Sequence, residues 1–539
     1  MVKSDVKSSR IIGKLNLVEI YDTTLRDGAQ AKDVNFSLQD KLRITSKLDE
    51  FGISYVEGGW PGSNPKDEEY FRAVKDLQLK NSEVVAFGST RRNNIKTELD
   101  QNLNAIVNSG VKTATIFGKS WDLHVKAILG TTLESNLEMV YDSVQYLKDH
   151  GLRVIFDAEH FYDGYKNNKD HALAVLKAAA DAGAATIVLC DTNGGTLPDA
   201  FAAITKDVAV SLRTPIGVHC HNDAGTAVAN SLLGIKVGAR HVQGTINGIG
   251  ERCGNADLCQ IIPSLELKMC MTTSKLPTER LKSLRPLSLY VYEMIHMRTN
   301  PYQPYVGENA FAHKGGIHVD AVMKNCVAYE HIDPVQVGNL RWISVSELSG
   351  KANILAKAKD FCLPAEKGSQ AVSSLLAKIK EMEYQGYQLE GADATLYLLM
   401  AKELDIYRKM WEVTQWRTIS ESKDGGFAAE SSIKIKVDHK ELYFIAEGNG
   451  PVNAQDNALR KAMTEFFPEI DNVQLINYKV SIAETAEGTA SSVRNFIEFT
   501  DGNSNWVTVG VSTNILEASK IALVDGYDYY LQRRRLSTK

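Results

Sequence analysis

A chain of 539 residues and 59.5 kDa has room for a barrel of about 250 residues and one or two further domains. Its 44% apolar and 24% charged residues are ordinary for a globular protein, and 61 Lys+Arg against 66 Asp+Glu leave a net charge of −5, which excludes a dedicated nucleic-acid binder. No window reaches the ~18 uninterrupted apolar residues of a membrane span, the polar start Met1 to Arg10 reads as no secretory leader, and 7 cysteines without a CxxC pair read as reduced thiols, so a cytoplasmic protein is expected.

From residue 13 to about 270 the pattern alternates short β-branched runs with amphipathic segments. The runs are Leu17–Tyr21, Tyr55–Gly58, Val84–Gly88, Thr113–Gly118, Arg153–Ala158, Thr186–Asp191, Ile216–His221 and His241–Asn247. Between them, Ser37–Phe51, Glu134–His150 and Asp170–Ala182 have helical spacing, and Gly52, Gly110, Gly151, Gly183 and Gly238 supply helix stops. Eight such units predict an α/β fold, a TIM (β/α)8 barrel. A doubly wound open sheet is the alternative, weakened because no GxGxxG follows the first run.

Chemistry-bearing residues gather at the ends of the predicted strands, the catalytic face of a barrel. Strand one ends in YDTTLRDG, strand five in DAEH, strand six in CDTN and strand seven in HCHND, while GERCGN follows strand eight. Residues i and i+2 of a strand share a face, so His219 and His221 converge from backbone positions about 7 Å apart, close enough for one metal ion. An HxH is common by chance, and two histidines hydrogen-bonded in a polar barrel mouth is the plain alternative. Asp27 and Asn255 on neighbouring strands add oxygen donors, and the mixed set suits Zn, Mn, Co or Fe, whereas Mg usually prefers all-oxygen shells. Cys220 points to the other face, toward the helices.

Three motifs in order, YDTTLRDGAQ, HCHNDAGTAVANS and NGIGERCGNADL, resemble the acetyl-CoA-dependent 2-oxo-acid condensing enzymes: the isopropylmalate, homocitrate and citramalate synthases among the DRE-TIM metallolyases. The resemblance runs over nearly the whole chain. VEGGWPGSNPKDEEYF and FGSTRR are similar to the long citramalate synthases. The resemblance implies that Asp27, His219 and His221 bind a divalent metal (Zn, Mn, Mg or Co), with Asn255 coordinating it or lying beside it. Arg26 then grips the oxo acid, Thr192 bonds the substrate carboxylate, and Glu159 is a catalytic carboxylate. In FAHKGGIH, His318 matches the histidine implicated in deprotonating acetyl-CoA, and Tyr329 lies about where the family has an assisting tyrosine. That segment is expected to complete the site of the partner subunit in a homodimer.

Residues 271–404 read as a mainly helical linker region, with helices over Gly368–Tyr387 and Ala392–Leu404. From 405 to 539 the pattern turns to strands, and a unit recurs: Tyr443–Glu447 enters GNGPV and then a helix, and Trp506–Val509 enters GVSTN and then a helix, with the turn glycines 448 and 510 lying 62 residues apart. A duplicated, pseudo-symmetric β/α module is expected. The resemblance implies a C-terminal regulatory domain under feedback by a branched-chain amino acid, isoleucine for citramalate.

The leading reading is an acyltransferase that condenses acetyl-CoA with pyruvate and hydrolyses the thioester to citramalate and CoA. The second is a 2-isopropylmalate synthase using a bulkier oxo acid. A retro-aldol metal lyase is the third, and an amino-acid-binding regulator on a dead barrel the fourth. The C-terminal module argues against the lyase, and the intact Arg26, Asp27, Glu159, His219, His221 and His318 set against the dead barrel.

Overall fold

The computed structural model describes residues 16–423, 426–483 and 490–537, so the polar start Met1 to Arg10 lies outside the described residues. The chain forms two compact units: one runs to Phe311 and includes Ile332–Leu340, the other comprises Ala312–His331 and Arg341 onward. Among the described residues no helix is long and apolar enough to cross a membrane.

In the first unit eight parallel strands close a barrel: β1 Glu19–Asp22, β2 Tyr55–Gly59, β3 Glu83–Ser89, β4 Thr113–Lys119, β5 Arg153–Glu159, β6 Thr186–Asp191, β7 Ile216–Cys220 and β8 His241–Gly244. The helix α1, Leu38–Phe51, shows why the units form. Ser37 and Asp40 close a reciprocal capping box at its start, and Gly52 ends it at φ +89°, where a Cβ would lie 2.4 Å from Ser274 Oγ. Alternation along the strands sorts side chains between two environments. Val154, Phe156 and Ala158 of β5 join the outer core against the helices. Ile155 packs inside the barrel with Tyr21, Tyr55, Val85, Val188 and Cys190. Two residues further, Asp157 and Glu159 open into the barrel mouth.

Two predicted strands end early. His221 lies past β7 and bridges antiparallel to Asn255. β8 stops at Gly244 because the chain turns into a 3-10 segment, Ile246–Gly248, with Asn247 at φ +66°, a conformation that no strand contains. β1 begins two residues later than its predicted run, with Leu17 paired only to Thr272 as a single bridge.

The second unit opens with a two-stranded parallel ribbon, β9 Ala312–His313 and β10 Trp342–Ile343, and the helix α2, Gly316–Lys324. The predicted helices form as α3 Gln370–Tyr384 and α4 Asp393–Glu403. The duplicated module is two successive strand–strand–strand–helix units. β11 Glu412–Lys423, β12 Gly426–Val437 and β13 Lys440–Gly448 precede α5 Pro451–Phe466. β14 Gln474–Ile482, β15 Val493–Thr500 and β16 Asn505–Ser512 precede α6 Ile515–Ser537. Each turn glycine lies under a helix: a Cβ on Gly448 would sit 2.3 Å from Ala454 N, and one on Gly510 2.0 Å from Ala518 O. Contacts cross residue 405. Val509 N donates to Thr395 Oγ1 at 3.0 Å, and Leu396 and Tyr397 share a core with Val509.

Candidate active site

Three ligand-type side chains converge at the barrel mouth. His219 and His221 bring their Nε2 atoms within 3.3 Å of each other. Asp27 Oδ2, in the turn after β1, lies 3.4 Å from the first and 4.0 Å from the second. Among the described residues no other group of three or more His, Cys, Asp or Glu gathers ligand atoms within 4.8 Å. Burial and the neighbouring His219 ring push His221 down to about 4, and burial also lowers His219. Both rings are therefore neutral at neutral pH, with a lone pair to offer. Burial opposes ionisation of Asp27, but Arg26 and the two histidines hold its carboxyl at about 2.

The same site contains unsatisfied acceptors. Asp27 Oδ1 and Asn255 Oδ1 are buried with no hydrogen-bond partner among the described residues. Each such atom costs about 1–3 kcal/mol if left unpaired. One carboxylate, two neutral imidazoles and an amide oxygen at this spacing fit a divalent cation.

Arg26 stands beside the ligand cluster. Its Nε donates to Glu57 Oε2 at 2.6 Å, its Nη1 lies 3.3 Å from Asp27 Oδ2, and its guanidinium carbon is 3.7 Å from the centre of the Phe87 ring. Glu57 is fully buried and accepts a second bond, 2.7 Å, from the Tyr21 hydroxyl. The guanidinium plane is thus fixed from behind and from below before any substrate arrives.

Glu159 forms an ion pair with Lys119 of β4. Thr192 Oγ1 accepts from the His160 N–H at 2.9 Å, which leaves its own O–H to donate elsewhere. Arg26, Asp27, Glu159, Thr192, His219 and His221 all line one cavity of about 240 Å³. One wall of it is aromatic. Phe87 and Phe117 stack at 5.6 Å, and Trp60 meets both edge-on at 5.7 and 5.9 Å. Trp60 is pinned by Asn102 Oδ1 at its indole N–H, 2.6 Å, and by Asp67 at its backbone N–H, 2.9 Å.

Six of the nine residues singled out from sequence therefore face one cavity, with Asn255 against the ligand cluster. His318 and Tyr329 belong to the second unit, where their rings lie 4.4 Å apart. Cys220 is buried in the outer core, as its strand position implies. Sequence reasoning passed over Trp60, Phe87, Phe117, Lys119 and Gln243, and it mentioned Asp157 without a role. Counting inward positions back from the motif residues finds Asp157, two before Glu159, and strand pairing finds Gln243, the partner of His219.

The barrel region, residues 17–287, matches the family model described as HMGL-like. Residues 305–386 match a homocitrate synthase post-HMGL domain-like model, and residues 390–531 match a LeuA allosteric (dimerisation) domain. The chain is 50% identical over 519 residues to an (R)-citramalate synthase of Sulfolobus acidocaldarius, covering 96% of this chain and 98% of that one. It is 49% identical over 521 residues to an (R)-citramalate synthase of Geobacter sulfurreducens, with the same coverage of 96% and 98%. Against a 2-isopropylmalate synthase of Methanocaldococcus jannaschii the identity is 30% over 520 residues, covering 96% and 95%.

Proposed function

The chain belongs to the (R)-citramalate synthase family, and we propose that it carries out that family's reaction: acetyl-CoA and pyruvate condense, and the thioester is hydrolysed to citramalate and free CoA. The observation that carries this is the adjacency of Arg26 and the Asp27–His219–His221 cluster, 3.3 Å apart at Nη1 and Oδ2. A 2-oxo acid has its carboxylate and ketone on neighbouring carbons, so its cationic clamp and its electrophilic activator must also be neighbours.

Asp27, His219, His221 and Asn255 would hold a divalent metal, which when bound supplies a Lewis acid for the ketone oxygen. Arg26 binds the oxo-acid carboxylate through the guanidinium edge that Glu57 leaves free, and Thr192 donates its hydroxyl to the same group. His318, backed by Tyr329, takes a proton from the acetyl methyl. The resulting carbon nucleophile attacks the ketone carbon, the ketone oxygen gains a proton, and water then cleaves the thioester. Glu159, paired with Lys119 on the cavity wall, is the second acid–base group.

The preference for pyruvate over 2-oxoisovalerate is supported by the identities of 50% and 49% to (R)-citramalate synthases against 30% to a 2-isopropylmalate synthase. We further propose a homodimer in which the His318 segment serves the partner's site, feedback by isoleucine through the duplicated module, and a cytoplasmic location. The LeuA-type domain supports both dimer and feedback.

The test is release of CoA thiol from acetyl-CoA with pyruvate, 2-oxobutanoate and 2-oxoisovalerate. Pyruvate should have the highest kcat/KM, by about 10-fold or more over 2-oxoisovalerate. An equal or higher value for 2-oxoisovalerate overturns the pyruvate assignment. No thiol release with any oxo acid overturns the synthase reading.

A further inference from the structure

His219 and His221 look alike in the sequence but differ in what stands behind them. His219 Nδ1 lies 2.8 Å from Gln243 Oε1, and Gln243 Nε2 donates to Asp157 Oδ1 at 3.0 Å. His221 Nδ1 is buried with no partner among the described residues. The Gln243 chain crosses the barrel interior: His219 is on β7, Gln243 is its register partner on β8, and Asp157 is on β5. Their exposures are 5%, 1% and 4%, so no bulk water competes for these bonds.

An amide oxygen only accepts. With Gln243 Oε1 against the ring, His219 Nδ1 must carry the proton and Nε2 must carry the lone pair. That Nε2 is the atom facing Asp27 and His221. Free histidine favours the opposite tautomer, with the proton on Nε2, where it would block a metal.

We propose that Gln243, anchored by Asp157, is a positioning residue of the metal centre: it fixes His219 in the Nδ1–H tautomer and aims Nε2 at the cation. This rests on the metal reading of the Asp27–His219–His221 cluster. Hydrogen bonds of this kind raise ligand basicity and typically change metal affinity about 10–100-fold when removed.

The test uses the full-length chain stripped with EDTA and titrated with Co²⁺ alone, read by its d–d absorption. Wild type should bind; if it does not, the metal reading falls and this inference with it. Gln243→Met, similar in size but with no acceptor, should weaken Co²⁺ binding about 10–100-fold. Gln243→Glu keeps an acceptor opposite Nδ1 and should stay within about threefold of wild type. A residue that merely packs predicts the reverse order, because the glutamate buries a charge beside Asp157. Wild-type affinity in Gln243→Met, or equal loss in both variants, overturns the proposal while leaving the metal site intact. ¹⁵N NMR of histidine-labelled, metal-free wild type tests the same point even where a variant does not fold. The His219 ring, assigned by the signal that vanishes in His219→Gln, should be in the Nδ1–H form. A His219 ring found as Nε2–H overturns the proposal.

Discussion

The barrel mouth and the repeated turns of the duplicated module use buried positions in opposite ways. At the mouth, buried positions are occupied by Glu57, Asp157, His219, Gln243 and Asp27, each braced by another polar group around a shared cavity. In the module, the recurring positions are glycine and alanine. Gly448 and Gly510 let a helix backbone approach the sheet, and Ala454, Ala458, Ala518 and Ala522 are fully buried on those helices. The first arrangement pre-organises charge, and the second fixes a packing distance. Disturbing the first should therefore cost rate, and disturbing the second should cost stability and regulation.

The largest effect should come from metal removal. Chelation with EDTA should lower turnover by about 10³-fold or more, with recovery on adding back a divalent cation. The midpoint of thermal unfolding of the module should not move. Full activity in the stripped protein would remove the basis for reading the cluster as a metal centre.

Next is Arg26→Lys. A point charge cannot replace a planar fork already braced by Glu57, and kcat/KM for pyruvate should fall about 100-fold. Near-normal turnover with an unchanged pyruvate KM would show that the carboxylate is held elsewhere.

The module should respond differently. In Gly510→Ala the added carbon would lie 2.0 Å from Ala518 O, a backbone atom, so α6 must shift. A destabilisation of about 1–3 kcal/mol is expected. The isoleucine inhibition proposed above should weaken while uninhibited turnover changes less than twofold. Loss of turnover with inhibition intact would reverse the contrast between the two regions.

The last effect concerns pH. Burial, with Asp528 nearby and Lys402 opposing, raises Asp525 on α6 to about 7. Its folded value lies above its unfolded one, so its contribution to stability is complete below about 4 and is lost as pH rises through 7. Asp525→Asn should remove that loss, raising stability at pH 8 relative to pH 5 by about 1–3 kcal/mol. Differential scanning calorimetry at both pH values checks it, and an unchanged pH dependence would exclude Asp525 as its source.

Sequence alone determined the features that depend on local order. Strand alternation and glycine stops predict eight β/α units, and β2 to β7 form within one or two residues of their predicted runs. The i, i+2 rule pairs His219 with His221, and the 62-residue spacing identifies the repeated turn, because these periods follow from backbone geometry within one element. The structure alone decided what depends on barrel closure. Glu57 braces Arg26 across 31 residues, and Asp157 reaches Gln243 across 86. Trp60, Phe87 and Phe117 form one wall only because β2, β3 and β4 lie side by side. No local period encodes such pairs. They exist because strands far apart in the chain point alternate side chains into one closed interior, where Glu57, Asp157 and Gln243 find their partners on other strands.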